Sequence, residues 1–421
     1  MLIERPDYIN RLKTFRDQSL VKVLVGMRRS GKSTLFRLFV DYLKSTGVKD
    51  EQIIMMNFDG PTYDFRSAKE LFDYIVERKA EGKTYVFLDE VQMVPDFQRA
   101  INGLRARDDF DVYITGSNAY LLSGELATLL SGRYIEIQVL PLSFREYLRG
   151  LYPEIQDYEA LRRKVNLQEV FADYMQYGGL PQTLDYYETQ DDVKLPQSTE
   201  IGEYIENIFG TIVYKDIMLR HKVADRMLLE KVVRFVLDNI GQPISVKRIV
   251  DVLNGNQIKV SYGTIDNYMA ALEECFLIYK AERYDIRGRE LLATGYKYFV
   301  ADTGLRNYVV GRSVRQDMGQ LLENVVYLEL RRRRERVRVG KYNNLEVDFV
   351  TDGRDEARGK TRRYYQVSVN VSEEKMFLRE MMPFNGISDN YPKCLLTLDG
   401  DVSGELNGVE QKRIVDWLLG L

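Results

Sequence analysis

One eight-residue pattern near the amino terminus constrains the fold of this chain more than any other feature. Residues 26–33 read Gly-Met-Arg-Arg-Ser-Gly-Lys-Ser, which is the complete pattern G-x-x-x-x-G-K-[ST]. A valine-rich run at 20–26 leads into it, and a segment with apolar residues at helical spacing follows at 33–45. The backbone N–H groups of such a loop, together with the amino end of the helix, attract phosphate oxygens. The pattern predicts a strand–loop–helix unit that binds a nucleotide.

The loop residues have separate expected tasks. Lys32 is expected to reach the β- and γ-phosphates, Ser33 to ligate Mg²⁺, and Thr34 to touch the α-phosphate. The predicted nucleotide-binding residues are Gly26, Met27, Arg28, Arg29, Ser30, Gly31, Lys32, Ser33 and Thr34.

The first third of the chain alternates between short apolar strands and helical segments. Strands are predicted at 20–26, 52–59, 84–90, 111–118 and 134–140, and helices at 33–45, 67–80, 97–107 and 119–130. Short strands that are apolar on both sides and separated by helices indicate a parallel sheet covered on both faces. The expected fold class is α/β, with a phosphate-loop core in residues 1–140.

Acidic residues end one of these strands. The run Tyr-Val-Phe-Leu at 85–88 leads into Asp89 and Glu90. The carboxyl ends of parallel strands meet where such sheets bind ligands, so both acids are expected beside the phosphate loop. Asp89 is predicted to complete the Mg²⁺ shell, and Glu90 to orient and deprotonate the attacking water. Asn118, at the end of the next strand, is favoured as a second group that positions this water, over a role as a helix cap.

Arg133 precedes the fifth predicted strand. One interpretation is an exposed arginine that forms a surface ion pair. The other is an arginine finger that reaches the γ-phosphate bound by a neighbouring subunit. The residues alone leave both interpretations open.

The rest of the chain changes character twice. Residues 141–222 are mostly helical and are interrupted by a turn at 178–181, which indicates a helical lid or linker. Three amphipathic helices at 226–240, 245–254 and 262–276, followed by strands at 277–285 and 297–303, are typical of a winged helix. The remainder predicts a helix at 319–334, strands at 336–342, 345–351 and 364–370, and a hairpin loop at 352–363.

These motifs together resemble the AAA+ ATPases. More narrowly, the chain is similar to a prokaryotic AAA-type family in which the ATPase core precedes a winged helix and a restriction-endonuclease-like domain. The resemblance lies in residues 26–34, 87–92, 115–118, 131–133, 141–148, 177–181, 302–305, 323–330 and 346–350. It implies ATP as the nucleotide, Glu90 as the catalytic acid/base, one strand between the phosphate-loop strand and the Asp89 strand, and Arg133 acting between subunits.

The implied domains are an ATPase core at 1–140, a helical lid or linker at 141–222, a winged helix at 223–305 and a restriction-endonuclease-like domain at 306–421. The last contains three carboxylates that could collect a divalent cation. Glu323 lies on the apolar face of a predicted helix, and Glu346 and Asp348 share one face of a strand. The resembled nucleases also need E-x-K on the following strand, where this chain has Gln366 and Ser368. We therefore expect an inactive domain used for binding or assembly.

Nucleic-acid contacts are expected in the winged unit. Tyr262, Thr264 and Asn267 lie away from the apolar stripe of its third helix, and Arg287 and Arg289 lie in its wing. A solvated helix face is the alternative interpretation. The densest basic run, at 331–341, fits either a phosphate-backbone contact or arginines that complement a helix dipole.

Composition limits the remaining choices. With 60 basic and 63 acidic residues the net charge is −3, so nucleic acid can be bound only through local patches. Two cysteines and one histidine exclude a disulfide framework and metalloprotease-type zinc sites. No signal peptide or membrane span is evident, so a cytoplasmic protein without membrane contact is expected.

The predicted function is Mg²⁺-dependent ATP hydrolysis coupled to the binding or remodelling of nucleic acid, with DNA favoured, by a homo-oligomer. The alternatives are a nucleotide-gated scaffold for a protein partner and an ATP-driven nuclease.

Overall fold

The computed structural model of the protein describes residues 2–116, 130–154, 157–190, 193–312, 314–355, 359–399 and 404–421. They divide into two units. The first is Met1–Pro141 with Leu180–Gln182 and Glu274–Phe276, and the second is Leu142–Gly179, Thr183–Glu273 and Leu277–Leu421. None of the helices in the described part of the chain has the length and apolar character needed to cross a membrane.

The first unit is built on a five-stranded parallel sheet. Its strands are β1 (Val21–Val25), β2 (Ile53–Asn57), β3 (Thr84–Asp89), β4 (Phe110–Gly116) and β5 (Tyr134–Gln138). Their spatial order is β2-β3-β4-β1-β5. The predicted α/β class and parallel sheet are confirmed, and β4 lies between β1 and β3 as the resemblance implies.

Helices surround this sheet. They are α1 (Pro6–Phe15), α2 (Lys32–Ser45), α3 (Ala68–Glu77) and α4 (Phe97–Arg105), with 3₁₀ turns at Asp50–Gln52 and Val91–Met93. On one face, Phe39 of α2 packs on Phe87 and Tyr113, whose stacked rings have centroids 4.7 Å apart. Val86 and Leu88 alternate to the opposite face and are also fully buried. Burial on both faces explains why these strands are continuously apolar.

Twelve α-helices are described between residue 142 and the carboxyl terminus. These are α5 (Phe144–Leu151), α6 (Tyr158–Arg162), α7 (Leu167–Tyr177), α8 (Ser198–Thr211), α9 (Leu219–His221), α10 (Arg226–Asp238), α11 (Val246–Gly255), α12 (Tyr262–Glu274), α13 (Thr303–Val310), α14 (Met318–Arg332), α15 (Glu374–Asn385) and α16 (Ile414–Leu419). A 3₁₀ turn spans Pro181–Tyr186, and a π-helical segment, Ile212–Met218, connects α8 to α9.

An eight-stranded mixed sheet organises the carboxyl-terminal part. The strands after β5 are β6 (Tyr187–Gln190), β7 (Val193–Pro196), β8 (Ile278–Asp285), β9 (Glu290–Val300), β10 (Arg336–Tyr342), β11 (Leu345–Asp355), β12 (Gly359–Asn370), β13 (Lys393–Asp399), β14 (Gly404–Leu406) and β15 (Val409–Arg413). β6 and β7 form a separate hairpin, and the large sheet has the order β14-β15-β13-β12-β11-β10-β8-β9.

The three helices α10–α12 and the hairpin β8–β9 follow one another in the predicted order. This hairpin also belongs to the large sheet, because β8 pairs in parallel with β10 through Val339 and Arg283. The sheet therefore continues across residue 305, where the sequence suggested a domain boundary. The four-domain division stays a prediction.

Three predicted segments differ from the structure. The strand predicted at 297–303 is β9, Glu290–Val300, and ends earlier because the Asp302 carboxylate accepts a hydrogen bond from the Leu305 N–H and caps α13. The mostly helical region 141–222 also contains the hairpin β6–β7. The predicted loop 352–363 consists largely of strand, since β11 continues to Asp355 and β12 begins at Gly359. Residues 119–129 of the predicted helix 119–130 lie outside the described residues.

Candidate functional site

Two glycines shape the phosphate loop. Gly26 follows β1 with φ of +151°, and a Cβ atom there would lie 2.2 Å from the carbonyl oxygen of Val139. Gly31 has φ of +96° and precedes the first residue of α2. Any side chain at the first position would displace backbone, and the second position lies in the left-handed region that favours glycine. The loop can therefore curl directly from β1 into α2.

Lys32, the first residue of α2, turns its side chain back over the loop. The residue is 5% exposed, and its ammonium group donates to the carbonyl oxygens of Gly26 at 2.9 Å and Met27 at 3.0 Å. These acceptors are neutral, so an anionic phosphate oxygen is a stronger partner for the same ammonium group. The predicted phosphate-binding lysine is thus held inside the loop.

Asp89 lies at the carboxyl end of β3 and is 2% exposed. It accepts hydrogen bonds from the Thr115 hydroxyl, from Asn57 Nδ2 at 2.9 Å and from the Ser33 side chain. Burial raises the pKa of Asp89 above its usual value, and the bonds from Thr115 and Ser33 offset this only in part.

The contact between Ser33 and Asp89 bears on magnesium binding. A hydroxyl group and a carboxylate from two different elements are in hydrogen-bond contact, and Mg²⁺ prefers oxygen ligands of these types. The desolvated carboxylate would gain a counterion when the ion binds. The residues present therefore fit Mg²⁺, with Ser33 and Asp89 as the groups that would hold it.

Thr115 links the two acids. Its hydroxyl group donates to Asp89 and accepts from the backbone N–H of Glu90 at 3.0 Å. Glu90 has φ of +55°, a left-handed conformation that is costly for a residue with a side chain, and its carboxylate accepts a hydrogen bond from the Gln92 side chain. The strained backbone and the threonine together fix the direction in which the Glu90 side chain leaves the sheet.

Arg5 connects the amino-terminal segment to the loop. It is 3% exposed, and its guanidinium group donates to the carbonyl oxygens of Ser30 and Leu140, both at 2.9 Å. One buried side chain therefore joins the phosphate loop to the segment that follows β5.

Asn57, Gln92, Thr115 and Arg5 did not emerge from the sequence as site residues. For Asn57 and Thr115 a signal existed, because each is a polar residue near the end of an apolar strand. Arg5 and Gln92 carry no comparable signal, since their partners are backbone atoms far along the chain or a side chain set by a turn.

Two further residues, Asn118 and Arg133, are predicted to be catalytic. Asn118 lies outside the described residues. Arg133 is exposed, and its carbonyl oxygen accepts from the N–H of Val21, the first residue of β1. The phosphate loop follows the last residue of β1. Arg133 therefore lies where the parallel strands begin, and the phosphate loop of the same chain lies where they end.

Comparisons with known proteins agree with this geometry. Residues 18–148, which contain the phosphate loop, Asp89 and Glu90, match the family described as an AAA domain. Residues 168–316 match a domain of unknown function. A protein of Haemophilus influenzae described as uncharacterized is 37% identical over 421 residues, 99% of each chain. This chain belongs to the same family.

The chain also has more distant similarities. An uncharacterized protein of Methanocaldococcus jannaschii is 29% identical over 340 residues, covering 79% of this chain and 72% of its own. The structure of a Walker-type ATPase of Pyrococcus abyssi aligns over 73% of this chain and 95% of its own, with a TM-score of 0.51 and 15% identity. The AAA domain thus has the fold of P-loop, Walker-type ATPases.

A second cluster of ionisable groups lies in the second unit. The predicted acids Glu323 on α14 and Glu346 on β11 both contact Lys297 on β9, with oxygen-to-Nζ distances of 3.4 Å and 2.6 Å. Lys297 is 3% exposed. At position 368 on β12, where the resembled nucleases carry a lysine, this chain has serine, and the structure supplies an ammonium group from β9 instead. We define Lys297, Glu323, Glu346, Asp348, Gln366 and Glu380 as the Lys297 cluster.

The remaining members of the Lys297 cluster bond to one another and to backbone. Asp348 Oδ2 accepts from the Val367 N–H at 2.8 Å, and Gln366 Oε1 accepts from the Asp348 N–H at 3.4 Å. The amide group of Gln366 donates to Glu380 on α15 at 3.1 Å. The sequence-predicted group is therefore assembled, with Lys297 and Glu380 as additions that sequence reasoning missed.

Burial dominates the electrostatics of this cluster. It raises the pKa of Asp348 well above the usual range, and the Glu323 carboxylate raises it further. Burial likewise raises the pKa of Glu323. Burial alone would lower the pKa of Lys297, but the carboxylates of the cluster raise it above the value of a free lysine.

The predicted nucleic-acid contacts have mixed surroundings. Tyr262 and Asn267 are exposed on α12, whereas the Thr264 hydroxyl group hydrogen-bonds to Ser261 Oγ at 2.8 Å. Arg287 and Arg289 are exposed in the turn between β8 and β9, and Arg287 donates to Asn343 Oδ1 at 3.3 Å.

Most of the basic run at 331–341 packs against this chain itself. Arg331 lies over the Tyr279 ring at 4.7 Å, and Arg333 lies over the Trp417 ring at 4.0 Å. Arg338 is buried and pairs with Asp352 at 2.5 Å. These contacts favour the structural explanation of the run over a phosphate-backbone surface.

Proposed function

We propose that the AAA domain binds and hydrolyses ATP with Mg²⁺, and that this turnover is coupled to nucleic-acid binding by the second unit. The observation that carries the first part is the chain of hydrogen bonds from Ser33 through Asp89 and Thr115 to the Glu90 backbone. It joins the start of α2 to the carboxyl ends of β3 and β4 at one edge of the sheet.

Each group has a separate task in this proposal. Loop N–H groups and Lys32 hold the β- and γ-phosphates, while Ser33 and Asp89 hold Mg²⁺, which supplies charge neutralisation on the phosphate oxygens when bound. Glu90 orients a water molecule for in-line attack and accepts its proton, and ADP leaves with inorganic phosphate. Asn118 is proposed to position the same water.

Arg133 is proposed to act on a second copy of the chain. It is exposed at the amino ends of the strands, whereas the phosphate loop lies at their carboxyl ends. It would therefore stabilise phosphate charge only in a neighbouring subunit of a homo-oligomer. Sizing the protein with ADP, with ATP and without nucleotide tests this assembly. An Arg133→Ala chain should still bind ATP while losing turnover, and unchanged turnover per site would exclude the finger.

Calorimetry and steady-state turnover test the nucleotide site. Lys32→Ala should abolish detectable binding of ATP with Mg²⁺, because it removes the cation inside the loop. Glu90→Gln should still bind ATP, but its turnover should be about 10²–10⁴-fold slower than that of wild type, which is the usual rate contribution of a general base. Lys44→Ala, at the exposed last turn of the same helix, is the matched control and should change neither. Rapid turnover by Glu90→Gln would refute the assigned base.

Two observations support nucleic-acid binding by the second unit. Arg287 and Arg289 are exposed in the turn after β8, and the three helices α10–α12 precede the hairpin β8–β9 in the order of a winged helix. DNA bound by Arg287 and Arg289 would release counterions, so affinity should fall steeply with salt. The double variant Arg287→Ala/Arg289→Ala should reduce the slope of log affinity against log salt by about 2. Turnover that rises with DNA supports coupling, and turnover indifferent to DNA favours a nucleotide-gated scaffold for a protein partner.

A further inference from the structure

The Lys297 cluster has a cation of its own. The ammonium group of Lys297 lies between the carboxylates of Glu346 and Glu323, at 2.6 Å and 3.4 Å, where a metal ion shared by these acids would have to sit. It arrives from β9, at the edge of the large sheet, whereas the acids come from α14 and β11. A buried positive charge therefore already bridges the two elements that carry the acids.

Two of the oxygens that could ligate a metal are engaged elsewhere. Asp348 Oδ2 accepts from the Val367 N–H, and the side-chain oxygen of Gln366 faces the Asp348 N–H. The nitrogen of the Gln366 amide faces Glu380. Within the described ranges, no group of three or more His, Cys, Asp or Glu side chains is arranged to hold a metal ion. The residues do not fit the divalent cation of the resembled nucleases.

We infer that Lys297 is a built-in substitute for a divalent cation: it neutralises the carboxylates of the Lys297 cluster, keeps metal ions out, and leaves the cluster without phosphodiesterase activity. A metal ion at the same place would lie within a few ångströms of the ammonium group and would be repelled by it. Removing this charge should release Glu323 and Glu346 as oxygen ligands. The inference concerns the second unit and does not depend on ATP hydrolysis.

Manganese binding to the full-length chain, measured as loss of the free Mn²⁺ signal in electron paramagnetic resonance, tests this. Wild type and Glu346→Gln should bind the same number of Mn²⁺ ions, because any ion at Ser33 and Asp89 is common to both. Glu282→Gln, which removes an acid paired with Arg336 outside the cluster, is the matched control. A Mn²⁺ ion bound by wild type and by Glu282→Gln but absent from Glu346→Gln would overturn the inference.

Lys297→Met sharpens the test. It should bind one additional Mn²⁺ ion, which the double variant Lys297→Met/Glu346→Gln should lose. Lys297→Arg retains a cation and should bind no ion beyond those of wild type. A folded Lys297→Met chain without the additional ion overturns the inference. If Lys297→Met does not fold, the comparison of wild type with Glu346→Gln decides alone, since Glu346 is 34% exposed and its amide replacement is expected to be tolerated.

Discussion

The two buried lysines Lys32 and Lys297 show how differently one side chain is used in the two units. Lys32 donates to neutral carbonyl oxygens of its own loop. Lys297 is paired with the carboxylates of Glu323 and Glu346. Both side chains are nearly inaccessible to solvent, yet these hydrogen-bond acceptors differ in charge: carbonyl oxygens for Lys32 and carboxylates for Lys297.

That difference separates a ligand site from a structural one. A charged ligand oxygen can replace a neutral carbonyl as the partner of Lys32, because the ion pair is the stronger interaction. At Lys297 the ion pairs already exist, so a ligand would have to break them and compete with two carboxylates for a buried ammonium group. A buried lysine is therefore a poor guide to function until its hydrogen-bond and ion-pair partners are known.

The largest expected effects separate the two lysines. Lys297→Met should destabilise folding by about 3 kcal/mol, the low end for a broken buried pair, because Glu323 and Glu346 lose a buried counterion but remain partly exposed to water, while the affinity for ATP stays unchanged. Lys32→Ala should remove ATP binding with a much smaller change in stability. Chemical denaturation and calorimetry on both variants measure the two quantities. Loss of ATP affinity in a folded Lys297→Met chain would break the comparison.

A smaller effect is expected for Thr115→Val, which keeps the shape of the side chain and removes its hydroxyl group. Asp89 and the Glu90 N–H each lose a partner, so turnover should fall roughly 10-fold and stability by about 1–3 kcal/mol. Thr84→Val is the control, because Thr84 lies at the other end of β3 and its hydroxyl group accepts from the Ala80 N–H. Equal turnover in the two variants would show that Thr115 does not position the acids.

The smallest effect is a change in the pH dependence of stability. The pKa of Asp348 is raised in the folded chain, so wild type loses stability as pH rises from the unfolded value of about 4 toward the folded one. Asparagine does not titrate, so the Tm of Asp348→Asn relative to wild type should increase with pH over this window.

Asp352 provides the opposite case. Burial opposes the shift, but the hydrogen bonds from Arg362 and Arg338 lower the pKa of Asp352 below its usual value. Its contribution to stability is present above the unfolded value and is lost as pH falls, so the Tm of Asp352→Asn relative to wild type should decrease as pH rises. Thermal unfolding from pH 2 to 8 compares both variants, because the Asp352 window lies below about pH 4 and the Asp348 window above it. The same sign in both would contradict the assigned charge environments.

Much of the first unit was predictable from sequence because its signals are local. The glycines, Lys32 and the helix start lie within eight residues, and the acids directly follow an apolar strand. The lengths of β11 and β12 were less predictable. The polar stretch at 352–363 was expected to be a loop, although cross-strand pairs such as Arg362 with Asp352 allow it to continue the sheet.

The sequence by itself determined the phosphate loop, the parallel sheet and the acid pair, because spacing and periodicity within short segments are sufficient for them. Only the tertiary structure decided the state of the Lys297 cluster and of the arginine run. Lys297 and Glu346 are 49 positions apart in the printed sequence and meet only when distant strands join one sheet. Electrostatic interactions depend on distance and burial, and neither is written in the order of the residues.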